Sequence, residues 1–225
     1  MEAPAVDPSD VVISPTILTA DPNEFAKYVG LYPTFAKRIQ IDIADGSFVN
    51  TTTISEAAIT ALPNNIPVDL HMMVVHPSEH LPHILRLKPN VCIFHAEATE
   101  DLLPIFAQLK QAGIKAGVAL LQRTYPGTVE QYIKAADHVL VFAGALGKNG
   151  GTADLLQVEK VKLIRGINPN AEIGWDGGIG KDNVRTLAHS NIHVLNVGSY
   201  IFKADDPKAA YEGLVAEATE RGVLI

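Results

Sequence analysis

The sequence predicts an α/β fold, a closed barrel of eight parallel strands with a helix after each, spanning 1–225 as one domain. Three observations carry this expectation. Short apolar runs alternate with longer amphipathic ones eight times along the 225 residues. The apolar runs lack strict alternation, which suits parallel strands covered on both faces. The length matches one barrel, commonly ~200–250 residues, and eight such units suit closure better than an open doubly wound sheet. No composition break or long linker leaves room for a second domain.

In chain order, strand 11–14 leads to a helix starting near Pro22-Asn23, and strand 38–43 to a helix near 55–62. Strand 67–70 precedes a helix opening at Pro77-Ser78; strand 91–94 precedes one over 100–111. The fifth and sixth units pair strand 115–120 with helix 128–135, and strand 138–142 with helix 154–165. The last two pair strand 172–175 with helix 181–188, and strand 193–197 with helix 207–220. Ser55 and Thr128, each followed closely by a glutamate, read as helix caps.

Composition narrows the function. Hydrophobic residues make up 47% and charged residues 19%, enough for a large core and too little charge for disorder. The net charge is −7 with no basic run, which argues against nucleic acid and anionic membrane as partners. A small anionic substrate remains compatible, because backbone N–H groups can hold a phosphate. Residues 1–10 are acidic and contain proline, resembling neither a signal peptide nor an anchor. A cytoplasmic protein is the expectation; a homo-oligomer is allowed but not specified. Cys92, the single cysteine, excludes an internal disulfide and reads as a core thiol.

Barrels place their chemistry just past the C-terminal strand ends. Acids, imidazoles and glycines gather there: Asp42, then Asp69-Leu70-His71, His95-Ala96-Glu97, the glycine-rich stretch 144–151, Asp176-Gly177-Gly178 and Gly198-Ser199. Gly177, Gly178, Gly198 and Ser199 fall in the loops where barrels usually grip phosphate. In the loop after strand six, Gly147 and Gly150, or Gly150 and Gly151, can let backbone approach an anion, and Lys148 can add charge. His76, His80 and His83 read as a solvated helix face, and Trp175 as barrel packing.

Six segments in order resemble the ribulose-phosphate 3-epimerases. They are Ser14-Pro15-Thr16-Ile17-Leu18-Thr19-Ala20-Asp21, Ile41-Asp42-Ile43-Ala44-Asp45-Gly46-Ser47-Phe48-Val49, Asp69-Leu70-His71-Met72-Met73-Val74, Phe94-His95-Ala96-Glu97-Ala98, Trp175-Asp176-Gly177-Gly178-Ile179 and Gly198-Ser199. The resemblance implies inversion of C3 of a ketose phosphate, D-ribulose 5-phosphate to D-xylulose 5-phosphate. It implies Asp42 and Asp176 as the acid–base pair, with Thr16 and His71 also at the substrate. It further implies a divalent metal held by Asp42, His71, Asp176 and the residue at position 40.

Position 40 departs from the family. Gln40 stands where the family has histidine, and Ala44 and Phe142 stand where it has methionines. An amide oxygen suits zinc less than imidazole does, so the expected ion is weakly held zinc or a harder manganese or magnesium. Two alternatives stay open: a metal-free or altered-specificity ketose-phosphate epimerase, and a non-catalytic phosphosugar-binding barrel. Decarboxylase relatives need an Asp-x-Lys-x-x-Asp motif, which Asp69-Leu70-His71 lacks.

Overall fold

The computed structural model of the protein describes residues 5–147 and 150–220; Lys148, invoked above as a phosphate contact, lies outside the described residues. Its strands are β1 (Val12–Ile17), β2 (Ile39–Ala44), β3 (Val68–Met73), β4 (Val91–His95), β5 (Lys115–Leu120), β6 (His138–Phe142), β7 (Glu172–Asp176) and β8 (Val194–Val197). All neighbours are parallel, and β8 pairs back onto β1 through Val12–Val194 and Ser14–Asn196 to close the barrel.

The helices are α1 (Pro22–Leu31), α2 (Pro77–Leu87), α3 (Leu102–Gln111), α4 (Glu130–Ala135), α5 (Glu159–Ile167), α6 (Val184–Ala188), α7 (Ser199–Phe202) and α8 (Pro207–Thr219). Aspartates start three of them. Asp21, Asp101 and Asp206 accept from the backbone N–H of Asn23, Leu103 and Ala209, and Pro22 and Pro207 add a preset φ where no donor is needed. Thr128 caps nothing: its hydroxyl donates to the Tyr125 carbonyl inside a 3₁₀ turn at Pro126–Val129. Another 3₁₀ turn, Leu155–Val158, replaces the first turn expected of the helix at 154–165.

The helix expected over 55–62 does not form; the segment makes only a turn, with Ala58 N–H bonded to the Ser55 carbonyl. The run is short and Pro63 ends it, so helix nucleation there returns few hydrogen bonds. Arg86 on α2 supplies the missing donors. Its guanidinium bonds the carbonyls of Thr60 at 3.0 Å, Ile59 at 2.8 Å and Glu56 at 3.3 Å. In exchange, α7 forms after β8, where no helix was expected.

Outward strand residues such as Ile13, Ile41, Leu70, Phe94, Val118 and Trp175 form the layer between barrel and helices. Each such buried large side chain contributes about 1.5–3 kcal/mol. A small inner cluster, Val91, Ile93, Ala119 and Leu140, fills one side of the barrel interior. The opposite side is polar. At the floor, Arg38 just before β2 reaches Asp69 on β3 at 2.6 Å and forks across to both oxygens of Glu172 on β7 at 2.8 and 2.9 Å. Further along each strand, the same inward faces carry the site.

Candidate active site

The period of two that sends Arg38 inward also sends Gln40 and Asp42 inward, and likewise His71 after Asp69 and Asp176 after Glu172. The three groups converge: ligand atoms of Asp42, His71 and Asp176 all lie within 4.8 Å of one another. His71 Nδ1 is 3.0 Å from Asp42 Oδ1 and 3.7 Å from Asp176 Oδ2. Gln40, below them, turns its amide N–H₂ upward, donating to Asp42 Oδ1 at 2.8 Å and to Asp176 Oδ2 at 2.6 Å. Its buried Oε1 has no partner among the described residues.

These contacts set the protonation of the group. Burial, and then the charge of Asp42, push the Asp176 carboxyl up to about 7, against the pull of His71 and the Gln40 hydrogen bond. For His71, burial favours the neutral ring, but the hydrogen bond and charge of Asp42, with Asp176 behind, outweigh it and raise the pKa. His95, fully buried beside His71, is pushed down to about 4 by burial, with Glu97 opposing.

The residues present fit a divalent cation. Two carboxylates and an imidazole converge from three strands, a mixed O/N donor set suited to zinc, manganese or magnesium. Gln40 faces this centre with donors; its oxygen joins the ligand set only if the amide turns over.

Above the carboxylates opens a pocket lined by Thr16, Asp42, His71, Met73, Phe142, Asp176, Gly147, Gly150, Gly177, Gly178, Gly198 and Ser199. It brings together the sequence-expected positions except two. Gly151 is exposed and does not line it, so Gly150, near Ser199, faces the cavity. Gln40 lies beneath the lining. The glycines at 177 and 178 are sterically required: both have positive φ, and a Cβ there would meet Gly144 N at 2.2 Å and Ala153 N at 2.1 Å.

Other histidines sort differently. His80 is partly buried, with Nδ1 3.0 Å from Glu56 Oε1, so it is not part of a solvated face, whereas His76 is exposed. Nothing in the sequence singles out Thr124, and Phe48 stands there only within a family-like segment, without a role. Phe48 packs 4.7 Å from the His95 ring and Thr124 bonds Glu97, but both sit in loops with no periodic signal.

A closed barrel with two carboxyls and an imidazole gathered at its C-terminal strand ends, a set able to hold a divalent ion, has the arrangement of a barrel enzyme. Residues 12–202 match the model of the ribulose-phosphate 3 epimerase family. The chain belongs to that family, and is an isomerase of the epimerase type. It is 30% identical to a ribulose-phosphate 3-epimerase of Mycobacterium tuberculosis, over 92% of this chain and 93% of that one. It is 29% identical to the chloroplastic ribulose-5-phosphate-3-epimerase of Arabidopsis thaliana, over 96% and 80%. Among solved structures, 3-hexulose-6-phosphate synthase from Salmonella typhimurium superposes with a TM-score of 0.68 at 15% identity, over 92% and 98% of the two chains. KGPDC from Streptococcus mutans gives 0.66 at 11% identity, over 92% and 97%. Those likenesses concern the fold alone.

Proposed function

We propose that the chain inverts C3 of D-ribulose 5-phosphate to give D-xylulose 5-phosphate, with Asp42 and Asp176 as the two proton-transfer groups. The observation that carries this is the pair itself. Two carboxyls on β2 and β7 share one amide donor, and their proximity with burial keeps a proton on Asp176 near neutral pH. Two-base inversion needs one group to hand over a proton while the other takes one, and the proton held on Asp176 supplies the first part.

Asp42 removes the C3 proton, the electron pair moves to the C2 oxygen as an enediolate, and Asp176 returns a proton to the opposite face of C3. The ketone re-forms, and the two carboxyls have exchanged protonation. The reverse reaction uses them in the opposite roles. Thr16, His71 and the backbone at Gly147, Gly150, Gly177, Gly178, Gly198 and Ser199 would orient the sugar and hold its phosphate, with no contribution from Gly151. A divalent ion held by Asp42, His71 and Asp176 would supply electrostatic stabilisation of the developing oxyanion. Manganese or magnesium suits the set better than zinc, since Gln40 brings no second imidazole.

The bridging amide of Gln40 favours a second reading, in which the reaction runs without an ion. Among the described residues no helix is long and apolar enough to cross a membrane, and a cytoplasmic location forms part of the proposal. The test is conversion of D-ribulose 5-phosphate by the purified protein, in chelator and after adding manganese, magnesium or zinc. Metal-stimulated appearance of D-xylulose 5-phosphate is expected. Full activity in chelator would select the ion-free reading, and no conversion under any condition would overturn the epimerase assignment for this substrate.

A further inference from the structure

We propose that Glu97, acting through His95, fixes which ring nitrogen of His71 carries a proton, and so keeps His71 Nδ1 presented between Asp42 and Asp176. The two are positioning residues; neither lines the pocket. The inference rests on the reading of His71 as a site residue, but its test does not depend on activity.

Glu97 lies at the far end of a chain of contacts that leads to His71. Glu97 Oε1 accepts from the Leu121 backbone N–H at 3.0 Å and from the Thr124 hydroxyl. That backbone is itself held, because Lys160 Nζ donates to the carbonyls of Leu121 at 2.6 Å and Gln122 at 3.0 Å. A backbone N–H can only donate, so Oε1 must remain an acceptor. Glu97 Oε2 then lies 3.5 Å from His95 Nδ1, a charge contact outside hydrogen-bond geometry; both atoms are buried and neither has a hydrogen-bond partner among the described residues, which leaves each available to the other. A carboxylate oxygen accepts, so His95 carries its hydrogen on Nδ1.

The polarity passes on. His95 Nε2 lies 2.9 Å from His71 Nε2, and two ring nitrogens at that distance share a single proton. With its hydrogen on Nδ1, neutral His95 has a bare Nε2, so the shared proton belongs to His71 Nε2. His71 Nδ1 is thereby reserved for the site: bare it can hold a cation, and protonated it donates to Asp42 Oδ1. The order is shielded from solvent, because His71 and His95 are buried and the Phe48 ring stacks 4.7 Å from the His95 ring. An outer carboxylate that sets a ligand histidine through its second nitrogen is a known device of metal sites; here a second imidazole is interposed.

Glu97→Gln reverses the polarity with almost no change of shape. Its amide oxygen must stay on the Leu121 N–H, so its N–H₂ faces His95 Nδ1, which has to become the acceptor. His95 then carries its proton on Nε2, and His71 keeps one only on Nδ1. The experiment records imidazole ¹⁵N resonances of ¹⁵N-labelled, metal-free protein, together with Mn²⁺ affinity. In the unmodified chain His95 is expected as the Nδ1–H tautomer, and in Glu97→Gln as the Nε2–H tautomer with Mn²⁺ bound ~10-fold or more weakly. His95→Gln, which can accept from His71 and donate to Glu97, should retain more Mn²⁺ affinity than His95→Leu. An Nε2–H tautomer at His95 in the unmodified chain would overturn the proposal, as would unchanged tautomers in Glu97→Gln. If a variant fails to fold, the unmodified tautomer still decides. Correct tautomers without epimerase activity would sink the functional reading and leave this one standing.

Discussion

Asp176 shows how one residue's surroundings set its chemistry. Its native pKa near 7 lies above the ordinary value of 3.8, so the folded state holds a proton that the unfolded chain has released. The stability from this proton is present in full below about pH 4 and is lost as pH rises through 7. Urea titrations in chelator should show this loss between about pH 4 and 7, and Asp176→Asn should flatten it. An equal slope in the variant would mean that another group titrates. Gln40 makes a second residue-scale case. Gln40→His replaces the bridging N–H₂ with an imidazole beside His71, and zinc content after identical purification should rise. Stoichiometric, tightly held zinc in the unmodified chain would refute the weakening assigned to Gln40.

Elements position these residues, and their ends do so at a cost. At the floor, Arg38 just before β2 joins Asp69 of β3 to Glu172 of β7, with His138 Nδ1 of β6 on Glu172 at 2.8 Å. Removing the cation leaves two carboxylates facing one another, so Arg38→Met should lower unfolding free energy by about 3–5 kcal/mol, read by denaturant titration. Burial opposes ionisation of Glu172, but His138 and Arg38 hold its carboxyl well below the usual range. Its stabilisation is present above about pH 4.5 and is lost as pH falls. At the other end, Ser199 opens α7 against the pocket. Ser199→Asp should repel a phosphate dianion and weaken sugar-phosphate binding at least about tenfold, or ~1.4 kcal/mol. Unchanged affinity by calorimetry would remove the phosphate from this end of the pocket.

At the scale of the molecule, the barrel was legible because each strand is a separate apolar run, and because strand-end residues such as Asp42, His71 and Asp176 fall at one end by topology alone. The missing helix at 55–62 was not legible, since Arg86 replaces its hydrogen bonds from another element. Nor was the direction of the Gln40 amide, which depends on a carboxylate 136 positions away. His95 and Glu97 stood out in the sequence as a pair, but only the distance between His71 and His95 ties them to the site.

The most direct test of two-base inversion follows deuterium. D-Ribulose 5-phosphate is incubated in D₂O with the unmodified chain, Asp42→Asn and Asp176→Asn, and the C3 position of both epimers is read by NMR. The unmodified chain should place solvent deuterium at C3 of the D-xylulose 5-phosphate formed. Each variant should remain folded and form that product at least ~10²-fold more slowly. Inversion at the unmodified rate by either variant would contradict the assignment of Asp42 and Asp176 as the paired acid and base.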